Sequence, residues 1–290
     1  KGWLLITSVM VLFSLLGSTM GFSVETLGFY ALFLPLMAAL GYDRLVLAAG
    51  SKLMRPPVDG MLEHAFDVDE IESATRLEAH IKSLKDKPVS AARNTVVVAG
   101  GGFTGIETAT EMPARLRAVL GENADIRVIV VDRAPQVAAA LGDGIRPSIV
   151  EASEHLGIQW VLNATVVAVD ANGVTLADGQ RIESNTVIWT VGFRANSLTE
   201  QVQGTRDHQG RLHVDQHLKV RGHADVYASG DVAYAATDDL GNFAAMSCQH
   251  AIALGRYAGN NVAAQLLGVE PMAYSQPKYV TCLDLGAWGA

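Results

Sequence analysis

The hydrophobic and polar positions divide the chain into an apolar beginning and a mixed remainder. Within residues 1–41 the only charged side chains are those of Lys1 and Glu25. Trp3–Phe22 is a run of about 20 mostly apolar residues, enough to span a bilayer of about 30 Å, and the shorter apolar run Leu27–Leu40 follows. We therefore predict hydrophobic N-terminal helices, the first of them a membrane span. A signal or anchor segment and a buried soluble helix are the alternatives.

After residue 41 the apolar residues recur at the short periods of a globular protein. Buried strands that end in glycine are predicted at 43–50 and 186–192, and an amphipathic helix is predicted at 71–84. Between them, from 158 onward, short strands alternate with the turns Asn172-Gly173 and Asp178-Gly179. Such dipeptides are strong hairpin signals, so a β-meander is expected there.

Glycine and proline mark the expected ends of the longer helices. Ile145–Leu156 reads as a helix that stops at Gly157, and a long helix is predicted from about Ala244 to Leu267. Another helical stretch contains Pro113. Because proline inside a helix costs about 3 kcal/mol, we expect a kink or a break just before it, near residues 111–113.

A glycine-rich turn between a strand and a helix is the strongest chemical signal. Val96-Val97-Val98 leads into Gly100-Gly101-Gly102-Phe103-Thr104-Gly105, after which a helix begins. Gly100 can take a backbone shape that a Cβ would resist, Gly102 allows close approach of a pyrophosphate, and Gly105 allows the helix to pack near the strand. The free N–H groups at the helix start face the phosphate charge. We place Phe103 and Thr104 with these glycines in a dinucleotide site.

An acidic residue at the end of the next strand specifies the nucleotide. The strand Ile126–Val131 is followed directly by Asp132, about 30 residues after the glycine-rich turn. A carboxylate there accepts hydrogen bonds from the ribose hydroxyls and repels a 2′-phosphate, which favours NADH over NADPH.

Composition excludes other classes of function. The net charge of −8 and the pI near 5.5 argue against a nucleic-acid surface. The two cysteines, Cys248 and Cys282, form no CxxC pair, so neither a redox dithiol nor a metal site is predicted. The four histidines between His208 and His223 lie in a turn-rich segment without a supporting cysteine, and we interpret them as solvent-facing side chains.

Three signatures in order resemble a family of flavoproteins. They are Leu47-Ala48-Ala49-Gly50, the unit at 100–105, and Tyr227-Ala228-Ser229-Gly230-Asp231. Together they resemble the pyridine-nucleotide oxidoreductases, which bind two dinucleotides. The resemblance implies an α/β fold in which a Rossmann-like NADH-binding domain, a parallel sheet plus β-meander, is inserted into an FAD-binding domain. We expect hydrophobic residues at 1–41, a partial FAD-binding domain with linker at 42–90, the NADH-binding domain at 91–196, and the remaining FAD-binding part at 197–290.

Further residues resemble the type II NADH dehydrogenases. These are Gly105-x-Glu107-x-Ala109-x-Glu111, Trp189-Thr190-Val191-Gly192, and Cys248-Gln249-His250-Ala251. The resemblance implies an FAD-dependent enzyme that moves hydride from NADH to flavin and on to a quinone-like acceptor. Ala253 stands where these enzymes often carry a second glutamine, on the quinone side.

The resemblance also implies roles for single residues. Asp231 would hydrogen-bond the ribityl or pyrophosphate end of FAD beside Gly230, and Ala49 and Gly50 would pass close to the flavin nucleotide. The glycine-rich turn would hold the NADH pyrophosphate. Four further residues would surround the nicotinamide and the flavin. Gly192 would lie along the nicotinamide, Glu107 near the nicotinamide–flavin junction as the candidate catalytic residue, and Gln249 with His250 on the flavin side.

Further expectations concern the extent of the chain, its membrane attachment, its oligomeric state and its alternative functions. The family opens with its own glycine-rich FAD motif, so we interpret this chain as truncated at both ends. The apolar run indicates association with a membrane, and Lys1 before it favours a cytoplasmic N-terminus. We expect the catalytic part on the cytoplasmic side. The oligomeric state stays open, a homodimer included. The alternative functions are a catalytically inactive, membrane-tethered nucleotide-binding remnant and a fragment fused to a transporter.

Overall fold

The computed structural model of the protein describes residues 43–280 and 282–289. The predicted hydrophobic helices of residues 1–41 lie outside these residues. Within the described residues, none of the helices combines the length and the apolar character that crossing a bilayer requires.

The secondary-structure elements are numbered along the chain. The strands are β1 (Leu45–Leu47), β2 (Ser51–Leu53), β3 (Ala65–Phe66), β4 (Thr95–Ala99), β5 (Arg127–Val131), β6 (Ile158–Val161), β7 (Val166–Asp170), β8 (Gly173–Leu176), β9 (Arg181–Glu183), β10 (Thr186–Trp189), β11 (Phe193–Ala195), β12 (Leu212–His213), β13 (Val226–Ala228) and β14 (Ala233–Tyr234). The α-helices are α1 (Met61–His64), α2 (Ile71–Ser83), α3 (Phe103–Leu120), α4 (Arg146–Leu156) and α5 (Cys248–Leu267).

A parallel sheet of five strands, in the order β3-β10-β4-β5-β6, forms the centre of the nucleotide-binding half. Every residue of β4 and β10 is buried, as expected where both faces of a parallel sheet are covered. Helices α2 and α3 cover one face, with Leu77, Ile81 and Leu116 in the shared core. The predicted α/β fold with a parallel sheet is therefore confirmed.

The opposite face is covered by the antiparallel meander β7-β8-β9. Its first turn contains Asn172-Gly173 and its second contains Gly179 with φ +87°. Val169, Val174 and Ile182 of the meander pack with Val97 and Ile129 of the central sheet. The meander predicted from the turn residues is confirmed, and it lies beside the end of the sheet where the glycine-rich turn begins.

Of the kink or break expected near Pro113, the break is wrong, because α3 runs without interruption from Phe103 to Leu120. The kink stays a prediction. Pro113 itself is buried within the helix. On the same helix, Met112 and Leu116 face the sheet, Ile106 packs against α4 and residues 283–285, and all three are at most 3% exposed. Burying several large apolar side chains stabilises the helix by more than the cost of one proline.

The second half of the molecule gathers short strands around α5. Strands β1 and β13 pair in parallel, β2 pairs with β11, and β12 pairs with β14. Their core includes Leu212, Tyr227 and Leu254. Helix α5 begins at Cys248, four residues after the predicted Ala244, because the N–H of Ala244 donates to the carbonyl of Ala235 at 2.9 Å and holds the segment before the helix against that residue. The boundary predicted at residues 90/91 stays a prediction; β3 and α2, which precede it, pack on the central sheet.

The segment 282–289 returns from the second half to the nucleotide-binding half. Leu283 and Leu285 are buried against Ile106 of α3 and Ile149 of α4. Gly286, with φ +62°, packs so close to α3 that a Cβ there would lie 2.5 Å from the carbonyl oxygen of Thr110. This segment therefore ties the two halves together.

We predict that Leu285→Ala lowers the free energy of unfolding by about 3 kcal/mol, because it leaves a cavity in a buried contact. Leu285 is 3% exposed, whereas Leu267 at the end of α5 is 76% exposed. The control Leu267→Ala should change stability by less than about 0.5 kcal/mol. Urea unfolding measures both variants, and equal stability losses would contradict the proposed packing of this segment.

Candidate nucleotide-binding site

The glycine-rich turn is held in one shape by contacts with β10. Gly100 has φ +112°, a conformation that favours glycine. A Cβ at Gly105 would lie 1.9 Å from the carbonyl oxygen of Gly100. The buried hydroxyl of Thr190 donates to the carbonyl oxygen of Ala99 at 2.8 Å. The turn, the start of α3 and the end of β10 are therefore packed as one unit.

The outer side of the turn is open to a ligand. Gly102 is the residue before α3, and a Cβ built on it would meet no atom within 4 Å. The first N–H groups of α3 have no acceptor within the helix, and the helix dipole adds positive potential there. Phe103 and Thr104 line the same opening. This arrangement suits a phosphate group.

Asp132 follows β5 and is tied to the turn. Its Oδ1 accepts the N–H of Ala134 at 2.7 Å, and its Oδ2 accepts the N–H of Gly101. An ionised carboxylate offers about four acceptor positions, so these two bonds leave room for ribose hydroxyls. The carboxylate thus connects the position of the turn to the position where a ribose would bind.

A cavity of about 1170 Å³ extends from the glycine-rich turn to the second half of the molecule. It lies at the carboxyl ends of β4, β5 and β10. The strand order reverses here, because β4 has the next strand along the chain, β5, on one side and the distant strand β10 on the other. Ligands of open α/β sheets bind at such switch points. From the nucleotide-binding half, the lining includes Gly100–Thr104, Val131–Ala134, Ala164–Val166 and Trp189–Phe193. From the second half, it includes His208, Gln209, Arg211, Tyr234 and Phe243–Met246.

Gly192 lies on the β10 side of this cavity. Its φ is +81°, and its carbonyl oxygen accepts the N–H of Met54 at 2.7 Å. Asp132 lies on the other side of the turn, after β5. A dinucleotide whose adenosine ribose is at Asp132 and whose pyrophosphate is at the turn would therefore direct its other half toward Gly192.

The residues predicted for the flavin nucleotide come together at the carboxyl ends of β1 and β13. Because these strands are parallel neighbours, Ala49 and Gly50 follow one strand beside Gly230 and Asp231 after the other. The Ser51 hydroxyl donates to Asp231 Oδ2 at 2.7 Å. Both glycines adopt left-handed conformations, with φ of +68° and +69°.

Gln249 and His250 form the first turn of α5. His250 is buried, its Nδ1 accepts the N–H of Ala245 at 3.1 Å, and its ring stacks on Tyr279 with centroids 4.6 Å apart. Burial lowers the pKa of His250. The neutral ring therefore carries its hydrogen on Nε2, and the side chain fixes the entry to α5. Gln249 is half-buried and accepts from the Tyr279 hydroxyl at 3.4 Å.

Glu107 lines a different cavity. This second space, of about 710 Å³, lies between α2 and α3 and also contains Glu78, Glu111 and Arg115. Glu107 Oε1 accepts the N–H of Asp284 at 3.2 Å. The described residues thus place Glu107 beside the segment that ties the two halves together, and its catalytic role stays a prediction.

Several residues of the nucleotide cavity were not selected from the sequence. Thr190 belongs to the motif Trp189-Thr190-Val191-Gly192. Its position directly after a buried strand, at the carboxyl edge of the sheet, is the sequence signal that could have identified it. Arg211, Tyr234 and Phe243 carry no local signal, because only the fold brings them opposite the glycine-rich turn.

Comparison with known proteins identifies relatives over most of the chain. The family model described as pyridine nucleotide-disulphide oxidoreductase matches residues 37–255. A NADH dehydrogenase-like protein of Mycobacterium tuberculosis is 45% identical over 255 residues, which cover 87% of this chain and 64% of that protein. A type II NADH:quinone oxidoreductase of Staphylococcus epidermidis is 26% identical and is matched over 85% of this chain and 64% of its own length. The chain thus spans 64% of the length of each of these two relatives.

A solved structure agrees with the fold. The ferredoxin reductase for the CYP199A2 system of Rhodopseudomonas palustris matches with a TM-score of 0.64 and 25% identity, covering 81% of this chain and 54% of that one. A second family model, described as C4-dicarboxylate anaerobic carrier, matches residues 1–53. The beginning of the chain is therefore similar to a family of carriers.

We predict different effects for two glycine substitutions in the turn. Gly102→Ala should leave the free energy of unfolding unchanged, because its Cβ meets no protein atom within 4 Å, and should weaken NADH binding by blocking the pyrophosphate. Gly105→Ala should lower both stability and binding, because its Cβ would lie 1.9 Å from Gly100 O. Thermal unfolding and calorimetry with NADH measure the two effects. Unchanged NADH affinity in Gly102→Ala would contradict the placement of the pyrophosphate.

Proposed function

Because the chain belongs to the pyridine nucleotide-disulphide oxidoreductase family, we propose that it is an FAD-dependent oxidoreductase that takes hydride from NADH. Members of this family use FAD and NAD(H). The observation that carries the proposal is the cavity at the carboxyl edge of the central sheet. It combines an open phosphate position at Gly102, a ribose acceptor at Asp132 and a path toward the second half of the molecule.

The chain's own residues bind and orient the nucleotide. The N–H groups at the start of α3 hold the pyrophosphate, and Asp132 accepts the ribose hydroxyls. The same carboxylate disfavours a 2′-phosphate through charge repulsion, which supports NADH rather than NADPH. Gly192 and the buried surroundings of β10 direct the nicotinamide toward the second half.

The described residues fit FAD at its flavin end. Gly50 leaves open space beside the end of β1, a Cβ at Gly230 would only contact Ala251 at 3.6 Å, and Asp231 is oriented by the Ser51 hydroxyl. The N-terminus of α5, next to His250, adds positive potential that favours electron-rich groups. When bound, FAD supplies the hydride-accepting ring, and this chain's residues position that ring and exclude water from it.

For the electron acceptor we propose a quinone. The support comes from relatives named type II NADH:quinone oxidoreductase and demethylphylloquinone reductase. Ala253, where a second glutamine is often found, is the residue of this chain that departs from that pattern.

Attachment to a membrane, with the nucleotide site on the cytoplasmic side, is a proposal that rests on the apolar residues 1–41. A homodimer stays a prediction.

The alternative function is nucleotide binding without catalysis. It is favoured by one observation: the described residues contain a single glycine-rich dinucleotide turn, at 100–105. Such a protein would bind NADH by the same contacts and retain no flavin. Flavin absorbance of the purified chain after incubation with FAD distinguishes the two functions.

We predict that the chain incubated with FAD oxidises NADH at least about 100-fold more efficiently than NADPH, because Asp132 repels the 2′-phosphate. Asp132→Asn removes the charge at nearly constant shape, so the preference should fall by about tenfold or more. The measurement is kcat/KM for both nucleotides with a soluble quinone as acceptor. Asp170→Asn, on the exposed meander, is the matched control. Absence of NADH oxidation together with absence of bound flavin would reject the enzyme in favour of the alternative.

A further inference from the structure

One wall of the nucleotide cavity is an irregular segment, Phe243–Met246, which we call the back wall. It belongs to the second half of the molecule and lines the same cavity as the glycine-rich turn. The segment precedes α5 and has little regular structure of its own. Its position therefore depends on side chains that bond to its backbone.

Arg211 supplies such a bond. Its Nη1 donates to the carbonyl oxygen of Ala244 at 2.6 Å. On the other side of the segment, the N–H of Ala245 donates to His250. Arg211 is 6% exposed and itself lines the cavity. A charged donor at this distance forms one of the stronger kinds of hydrogen bond in proteins.

Asp207 fixes the guanidinium of Arg211. Its Oδ2 accepts from Arg211 Nε at 2.8 Å, and the two side chains are only 7% and 8% exposed. Burial by itself would raise the pKa of Asp207, but the hydrogen bonds and the charge of Arg211 outweigh it and hold that pKa below its usual value. Since a buried charge is stable only when paired, neither side chain is free to turn away.

Arg211 also supports the back wall through two aromatic rings. Its guanidinium carbon lies 4.8 Å from the centroid of the Tyr234 ring. Tyr234 in turn stacks on Phe243 with centroids 4.1 Å apart and planes 11° apart. One side chain therefore holds the back wall both at the Ala244 carbonyl and at the Phe243 ring.

The back wall faces the nicotinamide half of the cavity. The loop that carries Arg211 is bonded to β11, since the N–H of Ala195 donates to the carbonyl of Gln209 at 2.9 Å. Strand β11 begins directly after Gly192. Gly192 and Asp132 lie on opposite sides of the glycine-rich turn, because β10 and β5 flank β4.

We propose that Arg211 is a positioning residue that sets the affinity for the nicotinamide half of NADH by fixing the back wall. This inference rests on the proposed function for the identity of the nucleotide. Adenosine, ribose and pyrophosphate are held by the glycine-rich turn and Asp132. Arg211 should therefore affect NADH and leave ADP-ribose, which lacks nicotinamide, unaffected.

The test measures the affinities of NADH and ADP-ribose by calorimetry in three variants. Arg211→Met should weaken NADH about tenfold, because the back wall must then be ordered when the nicotinamide half binds, and should change ADP-ribose by less than about twofold. Arg211→Lys keeps a charge beside Asp207, but its single nitrogen cannot replace both the Nε that bonds to Asp207 and the Nη1 that bonds to Ala244. This variant should therefore also weaken NADH binding selectively. It serves as the test if Arg211→Met does not fold.

The matched control is Arg206→Met. Arg206 also donates to backbone carbonyls, those of Thr199 and Val202, yet it does not line the cavity. It should lower thermal stability and leave both affinities unchanged. Unchanged NADH affinity in the Arg211 variants, or an equal loss for NADH and ADP-ribose, would overturn the inference while the proposed function stands. A wild-type chain that binds neither ligand would overturn both.

Discussion

Gly105 packs against the carbonyl oxygen of Gly100, with no space for even one methyl group between α3 and the end of β4. The hydroxyl of Thr190 closes the same contact from β10 by bonding to Ala99. This packing sets the direction of α3, and therefore where its free N–H groups point. It also brings the ends of three neighbouring strands to one edge. The phosphate position, the ribose acceptor and the exit toward Gly192 all follow from it.

The nucleotide site is completed by parts of the chain that are distant in sequence. The back wall reaches the cavity from the second half of the molecule, where the buried pair of Asp207 and Arg211 holds it. The segment 282–289 returns to cover α3 and α4. A donor nucleotide on the sheet and a flavin near β1 and β13 would then meet between two halves whose relative position is fixed by packing.

Local sequence signals were sufficient to predict the elements that form the proposed NADH site. Buried β4, the glycine-rich turn, Asp132 and the hairpin at Asn172-Gly173 each follow from short-range rules. The helix does not break at Pro113, because the cost of a proline is local, whereas the burial that outweighs it arises from tertiary packing. The predicted start of α5 is too early, since Ala244 is apolar and is kept out of the helix by its bond to Ala235, which is not visible in the local sequence. Arg211 could not be found from sequence, because its acceptor lies 33 residues away along the chain.

Hydrogen–deuterium exchange with and without NADH shows whether the nucleotide binds at the carboxyl edge of the central sheet against the back wall. Binding there should slow exchange at 100–106, 132–134, 191–193 and 243–246. Peptides of the second cavity, around Glu107 and Glu78, should change little apart from the first turn of α3. Protection confined to that second cavity, or no protection at the glycine-rich turn at saturating NADH, would show that NADH binds elsewhere.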